Sequence, residues 1–155
     1  MADHLTANFT LEEFAKTRHK AYRRENLEAA REKRSKLLLV ALLLQRVRDH
    51  FGVPIVVSSG IRSKALNDYL IRIGRPASPT SQHMLAEAVD FKVPGVPLVE
   101  VFDWIRLESG LEYGQLILEG EPASWIHLSV RGTRPEHKCQ QAIRWTKAEG
   151  YKAVA

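Results

Sequence analysis

The spacing of apolar and polar residues predicts that the first third of the chain is helical. Thr10 and Glu13 have the spacing of a capping box, so a short helix is expected to begin just after Thr10. A longer helical pattern covers residues 25–50, where apolar side chains recur at steps of three and four. Gly52 and Pro54 are expected to end that helix.

Short apolar runs separated by turn residues follow, and they predict intermixed strands and helices. The patterns indicate helices at 63–74 and 97–108 and strands at 54–60, 86–93, 116–119 and 125–130. Two further runs, 142–147 and 151–154, predict a terminal hairpin. The short loop between 116–119 and 125–130 favours antiparallel pairing. The sequence therefore predicts an α+β fold in which helices pack on one face of a small antiparallel sheet.

The composition is that of a small globular protein. Its 155 residues and 45% hydrophobic content suit one domain over residues 1–155. The longest apolar run, residues 37–44, is far shorter than a bilayer requires, so no membrane span is expected. The N-terminus lacks a signal-peptide pattern and Cys139 has no second cysteine to pair with, which favours synthesis in the cytoplasm. We expect a monomer.

Positive charge is concentrated between Lys16 and Lys36. This segment holds nine Lys and Arg residues against three Glu, a net charge of +6, while the whole chain carries +5. Such a segment suits an anionic partner, either nucleic acid or a cell-wall polymer. Its alternation with Glu and Ala also suits a solvated helix face, which is the favoured interpretation. Tyr22 alone interleaves an aromatic ring with these charges, so base stacking on nucleic acid is not expected.

Two histidines and one carboxylate, His83, Asp90 and His127, form a ligand set suited to catalytic zinc. His83 and Asp90 are seven positions apart, which on a continuous helix is a rise of roughly 10 Å. That is too far for two ligands of one ion, so we expect a loop with His83 that leads into a strand with Asp90. His127 alternates with apolar neighbours and therefore projects from one face of another strand.

Each histidine taken alone has a simpler interpretation as a hydrogen-bonded core residue. Taken together with the carboxylate, they leave the fourth position of a tetrahedral zinc ion open to water. Zinc lowers the pKa of such a water and makes hydroxide available for attack on a peptide carbonyl. Hydrolysis then also requires a carboxylate that moves protons and a donor that meets the developing oxyanion.

Four ordered motifs resemble the zinc D-Ala-D-Ala peptidases of the M15 type, particularly a branch common in bacteriophage and prophage. They are SSGIRSKALN at 58–67, SQHMLAEAVD at 81–90, YGQLILE at 113–119 and SWIHLSV at 124–130. The opening NFTLEEF at 8–14 is also similar to the start of that branch. The resemblance implies one zinc peptidase domain with the layout of hedgehog and DD-peptidase domains, in which zinc lies on the sheet. It implies hydrolysis of peptide stems in bacterial peptidoglycan.

The resemblance also implies which residues contact substrate. Arg62 follows the strand at 54–60, and its family counterpart lies in the active site, where a guanidinium offers paired donors to a carboxylate or oxyanion. The alternative is an exposed arginine in a turn. Ser81, Gln115 and Trp125 are predicted to line the substrate site, and Ser81 is also expected to brace the His83 loop. A core position is the alternative for Trp125.

Three positions depart from the family pattern. Ala86 stands where glycine is usual, Gly114 replaces a frequent acid, and Ser124 replaces an acid that many relatives carry three residues before the last histidine. None of these changes removes a zinc ligand. They leave the general base open, and they also suit a weakened enzyme.

The general base is predicted to come from the 116–127 hairpin. Ser124 cannot act as a base at neutral pH, which leaves Glu119 at the end of a strand and Glu121 in the loop. Glu119 is the predicted base because the end of its strand should lie beside His127. The alternative for Glu119 is a strand-end acid with no role.

Two other classes of function compete with a zinc peptidase that acts as a D-Ala-D-Ala carboxypeptidase or a murein endopeptidase of a phage lysis system. One is a degenerate, non-catalytic zinc-binding homologue that binds cell wall or serves as a phage structural protein. The other is a basic nucleic-acid-binding protein. Only the peptidase and the degenerate homologue require a bound metal, so metal content separates them from the nucleic-acid-binding protein. The peptidase interpretation implies a protein made in the cytoplasm that acts on the cell wall after release.

Overall fold

The structure is a computed structural model that describes residues 1–132, 134 and 139–154. Along the described chain, three α-helices precede the first strand, and most strands lie in the second half. Within these residues the helices are α1 (Leu11–Ala15), α2 (Arg23–Glu32), α3 (Arg34–Phe51), α4 (Lys64–Arg72) and α5 (Leu98–Leu107), with a 3-10 turn at Lys20–Tyr22. The strands are β1 (Val56–Ser59), β2 (Ala88–Lys92), β3 (Gln115–Glu119), β4 (Trp125–Ser129), β5 (Gln141–Thr146) and β6 (Gly150–Ala153). Among the described helices, none is long and apolar enough to cross a bilayer.

The two predicted helix-end signals, the capping box at Thr10 and the stop at Gly52, are confirmed, and the structure adds a cap at Ser63. Thr10 and Glu13 make both hydrogen bonds of the capping box at α1. Gly52 adopts a left-handed conformation, with φ of 68°, and ends α3. The Ser63 hydroxyl accepts a hydrogen bond from the Leu66 N–H and caps α4.

The single helix predicted over 25–50 is wrong at Lys33. That residue has φ of −106° and ψ of 25°, and it separates α2 from α3. The two helices bury different surfaces: Asn26 and Ala30 are buried in α2, whereas α3 buries a longer apolar stripe. The Lys33 ammonium donates a hydrogen bond of 2.9 Å to the Met84 carbonyl. The residue that separates the two helices thus also bonds the loop that carries His83.

The described strands form one sheet in the order β1-β2-β4-β3-β5-β6. Its pairs are antiparallel except β3 and β5, which run in parallel, so the expectation of a wholly antiparallel sheet is wrong at this pair. The reason is that β4 ends beside the start of β3, and β5 begins at the same end, where Gln141 pairs with Gln115. The terminal hairpin of β5 and β6 is confirmed.

The hydrophobic core lies between the helices and one face of the sheet. Alternate residues of the central strands point into it, and these are fully or almost fully buried: Val89, Phe91, Leu116, Leu118, Ile126 and Leu128. They pack in one cluster with the buried apolar residues of α3 and α5, including Leu44 and Phe102. Because side chains alternate along a strand, the residues between them project from the opposite face. The α+β prediction is therefore confirmed, and the second face of the sheet is left for polar residues.

Candidate metal centre

The structure brings His83, Asp90 and His127 together on the open face of the sheet. Asp90 of β2 and His127 of β4 are direct cross-strand partners, so their side chains lie side by side. His83 arrives from the loop that precedes β2, as the seven-residue spacing requires. One potential ligand atom from each residue lies within 4.8 Å of the other two.

The distances in this group fit a tetrahedral ion. Nε2 of His83 lies 3.4 Å from one carboxylate oxygen of Asp90, and Nδ1 of His127 lies 2.8 Å from the other. Two ligands bound at the zinc distance of about 2.0–2.1 Å in tetrahedral geometry stand about 3.4 Å apart. The separation between His83 and Asp90 matches this value. The shorter separation between His127 and Asp90 is that of a hydrogen bond, which a bound metal would replace. The donor set therefore fits zinc.

A hydrogen bond sets the orientation of the His83 ring. Its Nδ1 lies 2.7 Å from the carbonyl oxygen of Gly60, so Nδ1 carries the proton and Nε2 offers a lone pair toward Asp90. Gly60 has no room for a side chain, because a Cβ there would collide with the Phe14 backbone. The absence of a side chain at Gly60 therefore lets the Phe14 backbone pack directly against the residue whose carbonyl orients His83.

Hydrogen bonds to the backbone of His83 hold the loop in place. The His83 N–H donates to the Ser81 hydroxyl at 3.2 Å, and the His83 carbonyl accepts from the Arg62 N–H at 3.0 Å. Nε2 of His127 is buried and has no hydrogen-bond partner among the described residues. In this structure Nδ1 donates to the Asp90 carboxylate, and it would offer a lone pair to a metal once its proton had moved to Nε2.

Electrostatics keep the central carboxylate ionised. Burial by itself raises the pKa of Asp90, but the neighbouring His83 and His127 outweigh it and hold the pKa well below its usual range. Asp90 is thus an anion at neutral pH, as a metal ligand must be.

Arg62 lies at the rim of the same group, in the connection between β1 and α4. It is partly buried, and its Nη1 donates a hydrogen bond of 3.2 Å to the side-chain oxygen of Asn67. Burial lowers the pKa of Arg62, and the charge of Asp90 raises it in part. The guanidinium faces the metal group from one side and remains a cation.

Glu119 belongs to β3, which lies beyond β4 in the sheet, whereas Arg62 follows β1, which lies beyond β2. Glu119 ends β3, two residues beyond Ile117, which pairs with His127, so Glu119 and His127 share one face on a diagonal. Burial raises the pKa of Glu119, while the hydrogen bond from Tyr151 and the nearby His127 lower it in part. Glu121 points elsewhere: its carboxylate accepts a 2.6 Å hydrogen bond from the Lys147 N–H in the terminal hairpin.

A groove of about 500 Å³ runs over the metal group. Ser81, Gln115 and Trp125 line it, together with Arg62, Glu119 and the three clustered residues. Tyr151 of β6 also lines it, and sequence reasoning did not find this residue. The alternation in 151–154 indicates a strand, but it carries no information on which strand this hairpin joins. The parallel pairing of β5 with β3 brings Tyr151 to the groove.

The structure shows the surroundings of the three departures from the family pattern. Ala86 adopts φ of 56°, the left-handed region that favours glycine. A Cβ on Gly114 would collide with the Val130 carbonyl, so this backbone leaves no space for an acid there. Ser124 is exposed, and its hydroxyl donates to the Pro122 carbonyl at 3.2 Å within the loop between β3 and β4.

Sequence comparison assigns the chain to a known group of enzymes. No curated protein sequence matches it. The sequence model of the family described as peptidase M15 matches residues 7–129, which is well over half of the chain. The match includes the three clustered residues, Arg62 and Glu119, whereas the hairpin of β5 and β6 lies beyond it. The chain therefore carries a peptidase domain and belongs to the peptidase M15 family.

Proposed function

We propose that this protein is a zinc-dependent peptidase that hydrolyses peptide bonds in the stems of bacterial peptidoglycan. The observation that carries the proposal is the convergence of His83, Asp90 and His127 on one face of the sheet, inside a peptidase M15 domain. These three residues are the proposed zinc ligands. When bound there, zinc would supply Lewis-acid chemistry, which acidifies water and polarises a peptide carbonyl.

Glu119 is the proposed general base. Its position on the same face as His127 suits a carboxylate that accepts a proton from the attacking water and returns it to the leaving amine. Burial raises its pKa toward neutrality, which improves a carboxylate as a proton acceptor and donor at physiological pH. Glu121 is not a candidate in this proposal, since its carboxylate is bonded to the Lys147 backbone.

Arg62 is the proposed partner of the substrate carbonyl or of a substrate carboxylate. The hydrogen bond to Asn67 restrains one of its nitrogens, and the remaining donors are available to the groove. A developing oxyanion opposite Glu119 would then meet a fixed positive charge. Ser81, Gln115 and Trp125 are proposed to bind the peptide along the groove, and the indole of Trp125 is exposed enough to do so.

The bond that is cut and the biological setting rest on the family resemblance. We propose either a D-Ala-D-Ala carboxypeptidase or a murein endopeptidase of a phage or prophage lysis system. Such an enzyme would be made in the cytoplasm and would act on the wall after release.

A second candidate is a degenerate homologue that binds zinc and cell wall without hydrolysis. Two observations favour it: the left-handed Ala86 three residues after His83, and the exposed hydroxyl of Ser124 where many relatives carry an acid. The competing peptidase proposal depends on Glu119 as a replacement for that acid. The two candidates agree on metal binding and differ in turnover.

Release of new amino groups from purified peptidoglycan tests the proposal. The zinc-loaded protein should release amines, and a chelator should abolish the release until zinc is restored. His127→Ala should be inactive, while His4→Ala, which changes a histidine outside the groove, should retain activity. Full zinc content without amine release would support the degenerate homologue instead. Tight DNA binding by metal-free protein at physiological salt would support the nucleic-acid alternative.

A further inference from the structure

A second cavity, of about 210 Å³, adjoins the metal groove. It lies between the irregular segment 16–19, the end of β1 and the residues on either side of α4. Arg62 and Pro76 line both the cavity and the groove, so the two spaces meet at these side chains. A substrate that occupies the groove can therefore extend past Arg62 into the cavity.

The cavity is lined by positive charge. Lys16, Arg18, Arg62 and Arg75 contribute four cations, and His19 adds an imidazole. Among the described residues that line it, none carries a carboxylate. Such a concave surface of one sign concentrates the field toward a negative group.

Three of these four cations have no partner among the described residues, whereas the charge of Asp90 acts on Arg62. Across residues 1–132, 134 and 139–154, the side chains of Lys16, Arg18 and Arg75 make no hydrogen bond and no ion pair. Asp68 of α4 forms a 2.6 Å ion pair with Lys64, and Glu12, which accepts from the Asp3 N–H, lines a neighbouring cavity with Lys16 and Arg18. No described carboxylate therefore forms an ion pair with these three side chains, and the positive charge of the cavity wall is left available to a bound anion.

We propose that this cavity binds a carboxylate of the peptide substrate, at a position away from the bond that is cut. The proposal rests on the peptidase function proposed above and specifies its substrate as an acidic peptide. Guanidinium groups from Arg18 and Arg75 match a carboxylate with paired donors. The volume suits one acidic side chain or one chain terminus rather than a polymer strand. The start of the basic segment, at Lys16 and Arg18, would thereby bind substrate, while the rest of the segment lies on solvated helices.

The test compares charge-neutral and charged versions of one peptide. Synthetic stem peptides are prepared with a free glutamyl carboxylate or a free C-terminal carboxylate, and each is matched by the corresponding carboxamide. The cavity should bind one of these two carboxylates. For that carboxylate, the wild-type enzyme should cleave the charged peptide with a kcat/KM about three- to ten-fold higher than the matching carboxamide peptide, the effect of a partly exposed charged contact. The double variant Arg18→Gln, Arg75→Gln should reduce this ratio to about one through KM, with kcat nearly unchanged.

A matched variant separates local binding from net charge. Arg46→Gln combined with Lys92→Gln removes the same charge at exposed positions outside the cavity and should keep the wild-type ratio. An equal loss of the ratio in both double variants would mean long-range attraction only and would overturn the site. A wild-type ratio of about one for both peptide pairs, with hydrolysis intact, would overturn the site and leave the peptidase function standing.

Binding without turnover keeps the two proposals distinguishable. N-acetyl-glutamate is titrated into the zinc-loaded protein and followed by NMR at the backbone amides of Thr17, Ser59 and Arg75. Saturable shifts are expected in the wild type and in the Arg46, Lys92 control, but not in the Arg18, Arg75 double variant. If no saturable shift occurs in the wild type, the carboxylate site is wrong whatever the peptide assay gives. If the shifts occur and no peptide is cut, the carboxylate site stands and the peptidase proposal fails.

Discussion

The phenol of Tyr151 donates a hydrogen bond to the carboxylate of Glu119, with oxygen–oxygen distances of 3.0 and 3.3 Å. This contact joins the terminal hairpin, which lies outside the matched family region, to the end of β3, which lies inside it. Burial, together with the adjacent carboxylate, raises the pKa of Tyr151 to about 12, so the phenol stays protonated and remains a donor. The terminal hairpin, which lies beyond the matched region, thus donates a hydrogen bond to the proposed base.

Tyr151→Phe should move the acid limb of the kcat/KM profile to higher pH. A general base works when ionised, so activity falls as the pH drops through the pKa of Glu119. The Tyr151 hydrogen bond stabilises the ionised form and lowers this pKa, so its loss lets the pKa rise. Tyr22→Phe serves as control, since Tyr22 lies outside the groove. An acid limb at the wild-type pH in Tyr151→Phe would disconnect this phenol from the ionisation that governs turnover.

Glu119→Gln should preserve the fold and the zinc content but lower turnover by about two or more orders of magnitude, the effect of losing a positioned base. Glu121→Gln is the matched control, since it removes a carboxylate two residues away that bonds only the Lys147 N–H among the described residues. Peptide hydrolysis and metal analysis are measured on both proteins. Normal turnover in Glu119→Gln would mean that the base comes from outside the hairpin of β3 and β4.

His83→Ala and His127→Ala should each reduce bound zinc from about one ion per chain to near zero. In the wild type, zinc at about 100 times its dissociation constant should also stabilise the folded state by about 2.7 kcal/mol. Thermal melts with and without zinc therefore provide a readout besides activity. The melting temperature should rise with zinc in the wild type and in His4→Ala, but not in the two variants. Full occupancy in either variant would remove that histidine from the ligand set.

The local parts of the structure could be predicted from the sequence because their signals are local. The capping box at Thr10, the strand with Asp90 and the strand with His127 follow from the spacing of side chains within a few residues. The ligand set could be inferred because its residue types are specific and a single loop-to-strand geometry satisfies their spacing.

The missed parts depend on contacts between distant segments. No glycine or proline marks the break between α2 and α3 at Lys33. The Lys33 side chain bonds the Met84 carbonyl, 51 residues away, and the local sequence does not report this contact. The parallel pairing of β5 with β3 depends on where β4 ends, which periodicity cannot report. Tyr151 reaches the groove through that pairing. The cavity beside Arg62 likewise combines residues from separate parts of the chain.

Arg62→Lys should lower kcat/KM by about ten-fold or more while the zinc content and the melting temperature stay nearly unchanged. A lysine keeps the charge but cannot reproduce paired guanidinium donors, and one hydrogen bond to a charged group contributes about 1.5–3 kcal/mol. Arg72→Lys, on the exposed side of α4, is the control and should retain wild-type kinetics. Wild-type kinetics in Arg62→Lys as well would return Arg62 to the role of a turn residue.

Ala86→Gly tests whether the departure from the family glycine carries strain. Ala86 is fully buried with φ of 56°, a conformation that costs a non-glycine residue about 1–2 kcal/mol. The glycine relieves that cost but loses a buried methyl group, about 0.8 kcal/mol, and adds about 0.5–1 kcal/mol of chain entropy to the unfolded state. The two sides nearly cancel, so the free energy of unfolding should change by less than about 1 kcal/mol.

Ala88→Gly is the matched control for this prediction, because Ala88 is equally buried, lies two residues away in β2 and has no left-handed backbone to relieve. It should lose the methyl group and the chain entropy without compensation, about 1.5 kcal/mol, which is about 3–6 °C in melting temperature for a chain of this size. Ala86→Gly should instead melt within about 4 °C of the wild type and above Ala88→Gly. Equal losses in the two variants would mean that the backbone at Ala86 carries no strain that glycine can release, and the alanine would then be a neutral replacement in the loop that carries His83.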